Sequence, residues 1–124
     1  MKKLFAISLP ILKGKTEQLK QFSSDLEGRY KKEFAESRKK LGVQERSFLQ
    51  STPIGDLVIV TLEGRDPETA FVKLGEGTDE FTKWFAAQVK EIHGVDITQK
   101  SEFELPKLIA ETELVEEEIN EFIL

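Results

Sequence analysis

Residues 42–64 read GVQERSFLQSTPIGDLVIVTLEG, and the apolar run Leu57-Val58-Ile59-Val60-Thr61-Leu62 within them governs the fold. Six residues rich in β-branched side chains suit a strand. The turn formers Thr52-Pro53-Ile54-Gly55-Asp56 before them close a hairpin with Val43–Ser51. Side chains alternate along a strand, so Leu57 and Ile59 occupy one face and Val58, Val60 and Leu62 the other. Both faces are apolar, and both need cover. One layer of helices covers a single face; a second subunit is the simplest cover for the other.

Outward from the hairpin, Lys3–Leu12 carries Leu4, Phe5, Ala6, Ile7 and Leu9 in a short apolar run bounded by Gly14, which predicts a first strand. From Thr16, an N-cap candidate, Leu19, Phe22, Leu26, Tyr30, Phe34, Ser37 and Leu41 recur at steps of three or four and predict one helix ending at Gly42. Gly28 faces away from that stripe. Asp66-Pro67-Glu68 opens a short helix to about Leu74, broken by Gly75-Glu76-Gly77. Asp79 caps a further helix with Phe81, Trp84, Phe85, Gln88 and Ile92 at helical spacing, terminated by Gly94. After Pro106, Leu108-Ile109-Ala110-Glu111-Thr112 is the expected fourth strand. Val115, Ile119, Phe122 and Ile123 then line one face of an expected amphipathic acidic helix over 114–124. The resulting order is that of an α+β, ferredoxin-like βαββαβ fold over residues 1–113, with two principal helices on one face of an antiparallel sheet.

The chain has 124 residues, enough for one domain, since separate cores arise only beyond roughly 250 residues. Hydrophobic residues are 39% and charged residues 33%, a balance too apolar for a disordered chain. No run approaches the ~20 apolar residues of a membrane span. Cysteine is absent, which removes disulfides, thiolate metal sites and a cysteine nucleophile. Together with a start, MKKLFAISLPILKGK, that shows no small-residue cleavage site, this reads as a cytoplasmic protein.

Charge is uneven. Residues 1–42 hold 11 basic and 5 acidic groups and residues 43–124 hold 7 and 18, so the net charge of −5 divides into +6 and −11. The basic stretch Lys31, Lys32, Arg38, Lys39, Lys40 is interleaved with Glu33 and Glu36 and reads as a solvated helix face, which disfavours nucleic acid as a partner. One histidine with scattered carboxylates lacks metal-ligand spacing, and there is no phosphate loop or nucleotide fingerprint. Neither a cofactor nor a metal is expected.

The strand KLFAISLPIL, the hairpin quoted above and the segment DEFTKWFAAQVKEIHGVD together resemble the dimeric α/β-barrel superfamily. More narrowly, they are similar to small bacterial proteins of uncharacterised function within it, over about residues 3–113. The resemblance implies a homodimer whose two sheets press together into a barrel, with small ligands in the cleft between each sheet and its helices. Members include cofactor-independent quinone-forming monooxygenases and haem-degrading monooxygenases, so the fold alone leaves the function open. The haem-degrading members use an asparagine on the first strand; here Ser8 stands there and no asparagine precedes Asn120, which argues against haem.

His93 is the one side chain whose ordinary pKa lies near neutrality, which makes it the first catalytic candidate; its place in the last helical turn also suits it to satisfying terminal carbonyls. Trp84 and His93 are nine residues apart and point to opposite sides of an unbroken helix. Glu45 and Arg46 are neighbours on a strand and face opposite ways: one of them entering the interior requires a partner, and the alternative is a solvated edge with weak surface ion pairs. Arg46 with Glu63, or with a ligand carboxylate, would form a binding site, and Trp84, Gln88 and Glu91 are the further candidates on the helix. Two functions compete: a small-molecule-binding or enzyme-like domain with a pocket between the sheet and the helix of residues 79–94, and a non-catalytic homodimeric structural or sensor module with a filled core. An apolar pocket of ~300 Å³ or more with convergent polar groups discriminates in favour of the first.

Overall fold

A two-residue turn organises the sheet. In the computed structural model, which describes residues 2–99 and 104–114, β2 (Val43–Thr52) and β3 (Gly55–Gly64) are joined through Pro53 and Ile54 alone. The Thr52 hydroxyl donates to the Gly55 carbonyl at 2.6 Å and accepts from the Ile54 N–H at 3.3 Å. Gly55 has φ +135°, a conformation L side chains rarely adopt, so the turn needs glycine there. β1 (Lys3–Pro10) pairs antiparallel with the other side of β3, giving the order β1-β3-β2.

Register then decides the faces. Phe5, Ile7 and Leu9 lie opposite Leu62, Val60 and Val58, and Glu45, Ser47 and Leu49 lie opposite the same three residues from β2. Directly opposed residues share a face. This face is covered by α1 (Thr16–Glu27), α2 (Lys31–Leu41), α3 (Pro67–Gly75) and α4 (Glu80–His93). Leu19, Phe22 and Leu26 of α1 and Phe81, Phe85, Val89 and Ile92 of α4 are buried against Val58 and Leu74, while Phe5, Ile7, Leu9, Val43, Leu62 and Ala70 form the second part of the core.

Thr16, the expected cap of α1, is instead its first residue and donates its hydroxyl to Asp56 Oδ2 at 2.7 Å. Neither Lys15 before α1 nor Tyr30 before α2 makes a side-chain cap. The starts of α3 and α4 do follow their caps. Asp66 accepts from the Thr69 N–H at 3.3 Å, and Asp79 accepts from the Thr82 N–H at 3.1 Å and the Thr82 hydroxyl at 2.7 Å. The single helix expected from Thr16 to Gly42 is two helices. The N–H groups of Gly28 and Tyr30 both bond to the Asp25 carbonyl, at 3.3 and 2.9 Å, a turn that closes α1 and redirects the chain into α2. The apolar stripe runs unbroken across the junction because both helices address the same core, so periodicity alone could not register the break.

The other face of the sheet carries Leu4, Ala6, Ser8 and Pro10 from β1, Gln44, Arg46, Phe48 and Gln50 from β2, and Leu57, Ile59, Thr61 and Glu63 from β3. No helix of the described residues packs on it, and Leu4 and Phe48 are 67% and 53% exposed. The fourth strand expected at 108–112 does not form. Residues 104–114 carry no regular secondary structure, and Leu108 and Ile109 are 77% and 94% exposed. Three consecutive apolar residues between Pro106 and Glu111 are fewer than the roughly five or six of a usual strand. The expected acidic helix over 114–124 lies, from residue 115 onward, outside the described residues. Among the described residues, no helix is long and apolar enough to cross a membrane.

Candidate functional site

Between the sheet and the helices lies a chamber of about 590 Å³. Its floor is the helix-facing side of the sheet, with Ile7, Leu9, Val58, Val60 and Leu62, and its roof is Leu19, Phe22 and Leu26 of α1, Phe34 of α2, Leu74 of α3, and Phe85 and Val89 of α4. The exposed members of the wall, Lys20, Ser23 and Glu27 on α1 and Arg46, Ser47, Phe48 and Leu49 on β2, mark a mouth between those two elements. Two buried polar side chains reach the chamber, Glu45 and His93.

Glu45 is the member of the Glu45–Arg46 pair that turns inward. Its partner is Arg38, whose Nε donates to Glu45 Oε1 at 2.7 Å, with the two side chains 6% and 5% exposed. Arg38 Nη1 donates to the Ser37 hydroxyl at 2.7 Å, and the guanidinium stacks on Phe34 and Phe85, 4.9 and 4.5 Å from their ring centroids. Its Nη2 is buried without a partner. Aromatic faces attract a cation and offset part of the desolvation that a buried guanidinium suffers. Arg38 therefore belongs to the interior and not to the solvated basic face expected from the sequence. It lies one helical step of four beyond Phe34, the spacing that carries the apolar stripe inward, and that spacing was the available signal.

His93 ends α4, and its Nδ1 donates to the Pro10 carbonyl at 2.9 Å. The ring thus satisfies the end of β1 and not the carbonyls of its own helix. A carbonyl can only accept, so Nδ1 carries the hydrogen and Nε2 keeps its lone pair. Burial holds the imidazole below its ordinary value, the Pro10 hydrogen bond opposing this in part, so the ring is neutral near pH 7.

The two groups stand far apart. Glu45 lies opposite Leu62, while Pro10, to which His93 is tied, lies opposite Leu57; five residues of strand separate these levels, roughly 16 Å at the usual rise. The chain matches no protein-family model, no curated protein and no solved structure.

Of the residues singled out from sequence, His93 and Arg46 border the chamber, but the Arg46 guanidinium belongs to the open face, where it pairs with Glu63 at 3.4 Å and Gln44 at 2.9 Å. Glu63 borders a separate surface hollow with Lys31, Lys39 and Arg65. Trp84 packs in an aromatic group, with its ring centroid 4.2 Å from Tyr30 and 5.3 Å from Phe22. Gln88 meets Gln18 of α1 at 3.5 Å, and Glu91 pairs with Lys15. The structure thus brings His93 together with Glu45 around one space and leaves Trp84, Gln88 and Glu63 outside it. Among the described residues, no group of three or more histidines, cysteines or carboxylates is arranged to hold a metal ion.

Proposed function

We propose that this protein binds a small apolar molecule in the chamber between its sheet and its helices. The observation that carries the reading is the chamber itself, about 590 Å³ walled by aliphatic and aromatic side chains with Glu45 and His93 as its buried polar members. Ligand pockets span about 300–1,000 Å³ with that same composition. Empty apolar space destabilises a core, so an occupant binds there with the packing energy the side chains lack. The separation of Glu45 from His93 favours binding over an acid–base reaction in which both act on one atom. Methyl resonances of Leu19, Leu26, Val58, Val60 and Val89, followed by NMR during titration with toluene, test the reading. Saturable shifts confined to these methyls are expected, and a titration that leaves them unmoved refutes it.

The same proposal includes the finer fold and the assembly. The order β1-β3-β2 leaves the position beside β1 where a ferredoxin-like plan has its fourth strand, and the bare sheet face supports the dimeric α/β-barrel arrangement. A second copy is the fitting cover. The face carries Arg46 and Glu63, opposite charges in one patch with Phe48, Leu57 and Ile59, and is therefore complementary to itself under a twofold axis.

A further inference from the structure

Residues 104–114 form an arm that its own chain leaves bare. They run without a turn or a bend. Leu105 packs against the part of the core that holds Phe5 and Ala70, and beyond it Leu108, Ile109 and Leu114 are 77%, 94% and 77% exposed. Among the described residues, no backbone group of the arm has a backbone partner. A straight segment with unpaired N–H and C=O groups and bare apolar side chains is one half of a β-ladder.

The outer edge of β2 is the matching half. Among the described residues, β2 pairs with β3 alone. Edge strands are ordinarily guarded by lysine, proline or a bulge. At the opposite edge of the sheet, β1 has Lys3 at its start and Pro10 at its end. Residues 47–52 of β2 have no charge, no proline and an uninterrupted register. Both faces of this edge are apolar and bare, with Phe48 on the open face 53% exposed and Leu49 on the helix side 45% exposed. Leu108-Ile109-Ala110 is likewise uncharged, and as a strand it lays Ile109 on one face and Leu108 and Ala110 on the other.

Within one chain the two halves do not meet, since residues 106–114 are all exposed. Phe48 also belongs to the open sheet face on which a second copy is proposed to sit, so the β2 edge is continuous with that interface. We propose, building on the twofold pairing above, that the arm of each copy adds as a further strand to the β2 edge of the other, with residues 107–112 beside residues 47–52. The exchange pairs backbone groups that one chain leaves to water and buries Leu108 and Ile109 with Phe48 and Leu49. Phe48 and Leu49 stand at the mouth of the chamber, so the arm of one copy becomes part of the rim of the other's site.

The test mixes equal amounts of two preparations of the intact protein, one with isotope-labelled isoleucine and leucine methyls and one unlabelled, and records filtered NOEs between them. Cross-peaks from the Leu108 and Ile109 methyls to the Phe48 ring of the unlabelled chain are expected. Amide exchange is the second measurement. Alternate amides of residues 107–112 are expected to exchange at least about tenfold more slowly than in Phe48→Glu, which alters the accepting edge and leaves the arm as it is. Cross-peaks confined to one chain, or protection retained in Phe48→Glu at the single-chain mass, overturn the exchange of arms. A twofold mass by light scattering with no contact between Ile109 and β2 overturns it too, while the twofold pairing stands. A single-chain mass for the unaltered protein overturns both. Should Phe48→Glu fail to fold, the filtered NOEs of the unaltered protein decide alone.

Discussion

Arg38 shows how far one side chain can depart from its neighbours in sequence. Lys39 and Lys40 beside it are exposed, while Arg38 is buried on Glu45 and two phenyl rings. Removing one member of a buried pair strands the other, so Arg38→Met or Glu45→Leu is expected to cost about 3–5 kcal/mol in urea denaturation. The double variant is expected to regain most of that loss, because two apolar residues fill the space without a stranded charge. Equal losses that simply add would show that the pair is not coupled. His93 makes a second prediction at this scale. Its folded pKa is depressed below the ordinary 6.5, so between the two values the unfolded chain binds more protons than the folded one. The stability from His93 is then fully present above about pH 6.5 and is lost as pH falls toward the folded value. Asp56, Asp66, Asp79 and Asp96 all titrate below the ordinary carboxyl value of 3.8 and act in a separate, more acid window. Melting curves from pH 7.5 down to 5 are expected to fall for the unaltered protein and to flatten in that range for His93→Gln; an unchanged slope in the variant would assign it to another group.

Among the elements, caps and close approaches were unequally legible. The Asp79 cap and the terminator Gly94 were plain in sequence, because each acts within one helical turn. Asp79→Ala is expected to cost about 1 kcal/mol, measured by denaturant titration. Gly75 looked like a helix break and is indeed the last residue of α3, but it has a second role that the sequence did not show: a Cβ there would overlap the backbone carbonyl of Ile97. Gly75→Ala is therefore expected to cost more than the cap variant, about 2–3 kcal/mol, since the backbone of residue 97 has to move aside. A loss no greater than that of Asp79→Ala would mean that the 95–99 segment yields freely. The break between α1 and α2 belongs to the same category. Gly28 was visible as a poor helix former, but whether the chain bends there or merely frays depends on what the following helix packs against.

For the whole molecule, the bare sheet face is the feature that a single chain leaves unresolved. A twofold pair would bury it, and specific interfaces cover about 1,200 Å² or more in total. Light scattering on the intact protein at micromolar concentration is expected to give about twice 14.1 kDa. Phe48→Glu, on the open face, is expected to give the single-chain mass with an unchanged circular dichroism spectrum. A single-chain mass for the unaltered protein refutes the dimer.

What the sequence determined by itself was local and periodic. The hairpin, the two apolar faces of Leu57–Leu62, the caps at Asp66 and Asp79 and the inward stripe of α4 depend on alternation, helical spacing and turn chemistry within a few residues. The rule that Glu45 and Arg46 face opposite ways was equally local, and it left open whether one of them enters the interior with a partner or the pair lies on a solvated edge. Only the tertiary structure decided, and it turned Glu45 inward. The inward face of β2 is fixed by its register with β3, and Glu45 is acceptable there because α2, after its turn at Gly28, delivers Arg38 from seven residues upstream. The chamber is likewise invisible in any one element. It is the space left when four helices settle on three strands without filling the layer between them, and such space depends on the relative positions of all the side chains around it, a property that no stretch of sequence carries alone.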